Sequence, residues 1–102
     1  MDLKPGSRWR SAVCDTELVV VRPPKGAVSL ECGGHPVIAH AAARPEGLAL
    51  AEAHATGSQT GKRYADEESG LEALCTKAGA GSLSVDGRPI AAKDAKKLPA
   101  SD

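Results

Sequence analysis

The chain has 102 residues, with 13 basic and 13 acidic side chains, no net charge, a 41% hydrophobic share, and Trp9 and Tyr64 as its aromatics. That length fits one compact domain or two very small ones fused, and the charge balance argues against an electrostatic binder of nucleic acid. No apolar run is long enough to span a bilayer and Met1-Asp2-Leu3-Lys4-Pro5-Gly6 lacks the apolar segment of a secretory signal, so no membrane association and a cytoplasmic location are expected.

In chain order, Trp9–Val13 and Glu17–Arg22 are predicted as strands around the tight segment Cys14-Asp15-Thr16. The β-branched run Leu18-Val19-Val20-Val21 is continuous and suits a strand buried on both faces. Pro23-Pro24-Lys25-Gly26 ends it, because proline cannot donate a ladder hydrogen bond and glycine accepts turn dihedrals. Ala27–Glu31 is predicted to return as a third strand, followed by a tight loop at Cys32-Gly33-Gly34-His35-Pro36. Ile38–Thr60 is rich in Ala and reads as a linker, with Glu46–Ala55 as a candidate short helix. Further strands are predicted at Lys62–Asp66, Leu71–Lys77 and Ser82–Val85, with turns at Ser69-Gly70 and Ala78-Gly79-Ala80-Gly81. Lys93–Asp102 is expected to be a polar tail.

The two halves share a pattern. Gly6, Arg8, Trp9 and Glu17 recur in order as Gly61, Arg63, Tyr64 and Glu72. Ser29-Leu30 then leads to Gly34, Pro36 and Val37 in the first half, as Ser82-Leu83 leads to Gly87, Pro89 and Ile90 in the second. One small β unit occurring twice divides the chain into a first repeat (1–37), a linker (38–60), a second, degenerate repeat (61–92) and a tail (93–102). The expected fold is all-β: two small antiparallel units related by a pseudo-two-fold axis and joined by the Ala-rich linker. Gly34 and Gly87 are equivalent across the repeat, so the shared glycine is expected to carry the backbone requirement of the loop and Gly33 to be freer.

Eighteen of the hydrophobic residues are Ala and Phe is absent, so the area buried per residue is small. A chain this short buries a smaller share of its surface than a longer one. Support from a metal, from self-association or from a larger protein or enzyme partner is therefore expected.

The first repeat resembles desulforedoxin, a small rubredoxin-like iron protein. The resemblance rests on Gly6, Trp9, Ser11-Ala12-Val13-Cys14, the Leu18–Val21 run, Gly26 and Leu30-Glu31-Cys32-Gly33-Gly34. The second repeat follows the outline through Gly61, Tyr64, Asp66-Glu67-Glu68-Ser69, Gly79-Ala80-Gly81, Leu83 and Gly87. In that family four thiolates hold one iron that passes single electrons. The resemblance assigns the four ligand places to Ser11, Cys14, Cys32 and Gly33 in the first repeat, and to Asp66, Ser69, Val85 and Asp86 in the second. A complete four-thiolate iron site is excluded in both, and electron transfer does not carry over from the fold.

Cys14, Cys32 and His35 remain as a candidate metal site for one zinc or iron, with Cys75, Asp15 or water as fourth ligand. Two other readings stand beside it: relic thiols buried as small hydrophobes, and a Cys14–Cys32 disulfide, which a reducing compartment disfavours. Cys75 matches Val20 in the repeat and reads as core, with a catalytic thiol as the weaker reading, and His40 and His54 read as surface side chains. Gly57-Ser58-Gln59-Thr60-Gly61-Lys62 is one residue short of a phosphate loop and precedes a strand. The leading expectation is a small non-enzymatic accessory or partner-binding protein with no cofactor. The alternative is a metalloprotein using Cys14, Cys32 and His35 in a structural or electron-transfer role.

Overall fold

A computed structural model describes residues 2–92, so the tail expected at 93–102 lies outside the described residues. These residues form ten strands and one short 3₁₀ turn. The strands are β1 (Arg8–Arg10), β2 (Glu17–Arg22), β3 (Leu30–Cys32), β4 (His35–Pro36) and β5 (Ile38–Ala39), then β6 (Arg63–Ala65), β7 (Glu72–Lys77), β8 (Leu83–Val85), β9 (Arg88–Pro89) and β10 (Ala91–Ala92). They build two antiparallel sheets, one in the order β10-β6-β7-β2-β1-β5 and one in the order β4-β3-β8-β9. The all-β expectation holds.

At the centre of the larger sheet β2 pairs with β7, placing Leu18 opposite Cys75, Val19 opposite Leu74 and Val20 opposite Ala73. In the smaller sheet β3 pairs with β8, placing Leu30 opposite Val85 and Cys32 opposite Leu83. Leu18, Val20, Ala73 and Cys75 of the first sheet share one core with Leu30, Cys32, Leu83 and Val85 of the second, closed by Leu3, Val37, Tyr64 and Leu71. Every central pairing thus joins a strand from the first half of the chain to one from the second.

Backbone hydrogen bonds repeat across the halves. Gly6 N–H donates to Val20 and Val20 N–H to Ser7, as Gly61 N–H donates to Cys75 and Cys75 N–H to Lys62. Ser11 N–H reaches Thr16 as Asp66 N–H reaches Leu71, and Gly33 N–H reaches Ser82 as Asp86 N–H reaches Ser29. Trp9 and Tyr64 hold matching registers, opposite Leu18 and Ala73.

Several expectations change. First, β2 is not buried on both faces: Leu18 and Val20 are almost fully buried, Val19 is half-buried and Val21 is 41% exposed. The second sheet covers one face of β2, so only alternate residues enter the core. Second, β1 ends at Arg10, because the Ser11 hydroxyl accepts the N–H groups of Val13 and Cys14 and turns the chain. Third, the 38–60 segment is neither helix nor plain linker. It contributes β5 to the edge of the larger sheet and a 3₁₀ turn at Glu52–His54. It is tied down by Ala51 N–H on Gly33 O, by Ser82 N–H on His54 O and by an isolated bridge between Ser58 and Gly79.

The two shortest hairpins turn on Gly33-Gly34, at φ 67° and 88°, and on Asp86-Gly87, at φ 49° and 83°. Both residues of each loop are left-handed, the backbone that a two-residue hairpin with native twist requires. Gly33 is therefore not the freer residue. A Cβ there would lie 2.6 Å from Leu50 Cδ1 and 2.7 Å from Val13 Cγ2, whereas at Gly34 it would lie 2.7 Å from Ala51 Cβ and at Gly87 it would meet nothing within 4 Å. A cysteine at Gly33 would meet the same obstruction, so restoring a ligand there is not a benign change. Gly87→Ala is expected to cost about 1 kcal/mol from backbone strain. Gly33→Ala and Gly34→Ala are expected to cost more, by ~1–3 kcal/mol of added crowding. Thermal melts of the three variants check the order; equal losses at Gly33 and Gly87 would show that the Val13–Leu50 wall yields freely.

Candidate functional site

The turn between β1 and β2 and the end of β3 bring two thiols together. Cys14 Sγ and Cys32 Sγ are 3.8 Å apart, with Cys32 fully buried and Cys14 half-buried. Cys14 Sγ is also 3.2 Å from Thr16 Oγ1 and accepts Gly81 N–H at 3.4 Å. Thr16 is buried and its hydroxyl pairs with the buried Ser58 hydroxyl at 2.7 Å. Arg44 covers the outer side, donating to Cys14 O at 2.7 Å and facing the Asp15 carboxylate at 3.5 Å.

The lid over the thiols comes from the other half of the chain. A Cβ on Gly79 would strike Thr16 N at 2.5 Å and its hydroxyl closer still, and would sit 3.0 Å from Cys14 Sγ. A Cβ on Gly81 would lie 2.9 Å from Gly33 N and 3.0 Å from Cys32 Sγ. Sequence reasoning read Gly79 and Gly81 as turn residues only. Their spacing carried no sign of the close approach, because the residues they approach are far away in the chain.

The two thiols differ in acidity. Burial pushes Cys14 up, but hydrogen bonds from Ser11, Thr16 and the Gly81 amide outweigh it and bring it down to about 7. Burial first, and then repulsion by an ionised Cys14, push Cys32 up to about 12. That repulsion exists only while Cys14 carries charge. Cys75 is fully buried in the core, its thiol donates to Lys77 O at 3.2 Å, and burial raises its pKa.

The remaining candidates lie elsewhere. His35 stands opposite Cys32 in the β3–β4 hairpin, but its ring Nε2 is 2.9 Å from Ala49 O, where it donates. His40 pairs with Glu17 at 3.0 Å. Among the described residues, no group of three or more His, Cys, Asp or Glu side chains is placed to hold a metal ion. The structure joins Cys14 to Cys32 and gives neither His35 nor Cys75 a bond to that pair.

The matching place in the second half is filled differently. Asp66, nearly buried, accepts Ser69 Oγ at 2.6 Å and Arg88 Nη2 at 2.8 Å, and Arg88 Nε lies 3.5 Å from Glu68. Arg88 occupies the hairpin position that His35 holds in the first half. Burial alone would push the Asp66 carboxyl up; donors from Ser69 and Arg88 outweigh it and hold the group below its usual value. The halves interlock here too, since Lys25 N–H donates to Ser69 O at 2.7 Å.

No family model, curated protein or solved structure matches the chain. No helix among the described residues is long and apolar enough to cross a membrane.

Two measurements follow from this geometry. Alkylation of the native protein is expected at Cys14 alone, its rate rising with pH through a midpoint of about 7, because the thiolate is the nucleophile. Equal labelling of Cys75 would contradict the burial described. Asp66→Asn is expected to destabilise by about 1–3 kcal/mol through weakened acceptance. Since the folded Asp66 value is depressed, its contribution is present above the unfolded value near ~3.9 and lost as pH falls through the folded one. The wild-type chain should therefore lose stability more steeply than the variant in that acid range, as thermal melts across pH would report.

Proposed function

We propose that the chain is a duplicated, desulforedoxin-like scaffold, its two units related by a pseudo-two-fold axis, that serves as a non-enzymatic accessory protein acting through its surface. The observation that carries this reading is the Asp66–Ser69–Arg88 network. At the place where the family holds a metal, the second unit has a local set of hydrogen bonds: Asp66 Oδ2 accepts the Ser69 N–H, the Ser69 hydroxyl and Arg88 Nη2, and Ser69 Oγ accepts the Leu71 N–H. A scaffold whose site has been converted into structure retains its surface as the part that acts on other molecules. The matched hydrogen bonds and strand orders of the halves support the duplication. The modest core, with five leucines but no phenylalanine among its buried side chains, supports a partner or self-association as added stabilisation.

A second reading, one zinc or iron on Cys14, Cys32 and further ligands, draws on the sulfur separation. Two thiolates bound to one tetrahedral zinc at ~2.3 Å each stand about 3.8 Å apart. The His35 contact with Ala49 O weighs against the ligand set expected from the sequence.

Recovery of the tagged chain from its native cells tests the leading reading. A stoichiometric larger partner, or a defined oligomer, is expected; a stable monomer recovered alone would contradict it. Elemental analysis of the untagged protein separates the second reading: a full equivalent of zinc or iron, lost in Cys14→Ser, would replace the first.

A further inference from the structure

We propose that Cys14 and Cys32 form a reversible intramolecular disulfide, with Cys14 as the sulfur that meets an incoming small disulfide and Cys32 as the sulfur that resolves it. This site stands independently of the accessory reading, because it rests on the first unit alone.

The geometry assigns the roles. The sulfurs are 3.8 Å apart, so a bond of ~2.05 Å requires them to close by about 1.8 Å. Cys14 can supply that movement, since it lies in the turn between β1 and β2 and not in a strand. Cys32 is the last residue of β3 and has no exposed surface, so an external disulfide cannot reach it first. Cys14 is partly exposed, and the Thr16 hydroxyl and Gly81 N–H aim at its sulfur. Both donors favour the thiolate over the thiol. The third thiol is not a competitor, since Cys75 is fully buried and donates to Lys77 O. The three cysteines of the chain thus divide into one pair and one core residue.

The exchange balances with a low-molecular-weight disulfide as oxidant. The Cys14 thiol gives its proton to solvent, and the resulting thiolate attacks one sulfur of that disulfide, forms a mixed disulfide and expels the other half as a thiolate. Cys32 loses its proton to the expelled thiolate and attacks Cys14 Sγ. The Cys14–Cys32 bond forms, the mixed bond breaks, and the second small thiolate leaves and takes a proton from solvent. The protein loses two electrons and two protons, and the small disulfide is reduced to two thiols.

The bond would join the two sheets directly, from the β1–β2 turn of the larger sheet to β3 of the smaller. The adduct on Cys14 would press on the Gly79–Gly81 segment, which already lies against both sulfurs. Oxidation would therefore alter the lid contributed by the second unit as well as the turn that carries the thiol.

The test uses the full untagged chain, reduced and then equilibrated in buffers of stepped ratio of oxidised to reduced glutathione. Free thiols are trapped at acid pH and mapped by mass spectrometry. The expected result is one species lacking two hydrogens, with Cys14 and Cys32 linked and Cys75 free, reverting on addition of dithiothreitol. Cys32→Ser is expected to stop at a glutathione adduct on Cys14, and Cys14→Ser to leave Cys32 unmodified while folded. Thermal melts should show the oxidised wild-type chain unfolding at higher temperature than the reduced chain, because the cross-link restricts the unfolded state. An adduct that persists on wild-type Cys14, a bond to Cys75, or no oxidation in pure oxidised glutathione would each overturn the proposal. So would a stoichiometric metal that protects both thiols from the oxidant. Should either serine variant fail to fold, the wild-type mapping alone decides between these outcomes.

Discussion

The pairing of β2 with β7 is the contact on which the rest of the fold depends. It sets Leu18 against Cys75 and Val20 against Ala73, and all four side chains are at most 1% exposed. Neither half of the chain has enough apolar surface to close a core by itself, with so many alanines and so few large side chains. Joining the halves through their longest strands puts the best apolar residues of each into one interior. The β3–β8 pairing repeats this in the second sheet, where Leu30, Cys32, Leu83 and Val85 face the same core.

Both turn sites follow from that joining. Because the halves are interlocked, the segment after β7 covers the turn before β2, and the segment after β2 touches the turn before β7. Gly81 N–H thus reaches Cys14 Sγ, and Lys25 N–H reaches Ser69 O. The two sites nevertheless have different chemistry. In one, two thiols face each other under a glycine lid; in the other, a carboxylate is locked between a hydroxyl and a guanidinium. At the equivalent hairpin position Arg88 reaches its site, whereas His35 turns to the backbone of the 38–60 segment.

Much of the fold was legible in the sequence because period and punctuation act locally. The strands around Glu17–Arg22 and Glu72–Lys77, the loop at Gly33-Gly34 and the correspondence of Trp9 with Tyr64 all come from short-range pattern. The proximity of Cys14 and Cys32 entered through family resemblance. What stayed hidden depends on distant parts of the chain. The half-covered face of β2 is decided by the span of a second sheet, and the crowding at Gly33 by Val13 and Leu50. The Gly79–Gly81 lid needs residues far from it in sequence, and the pairing of Arg88 with Asp66 needs the hairpin to fold back on the turn. The 38–60 segment reads as an alanine-rich linker, yet its backbone hydrogen bonds make it part of both sheets' surroundings.

Native-state hydrogen exchange of the amides in β2 and β7 tests the interdependence of the halves most directly. If the β2–β7 pairing holds the molecule together, the Val20 and Cys75 amides and their strand neighbours should exchange through one shared opening. Their free energy of opening should be that of global unfolding. Exchange of β7 through a lower-energy opening, with β2 still protected, would show that the first half folds by itself and would contradict the account.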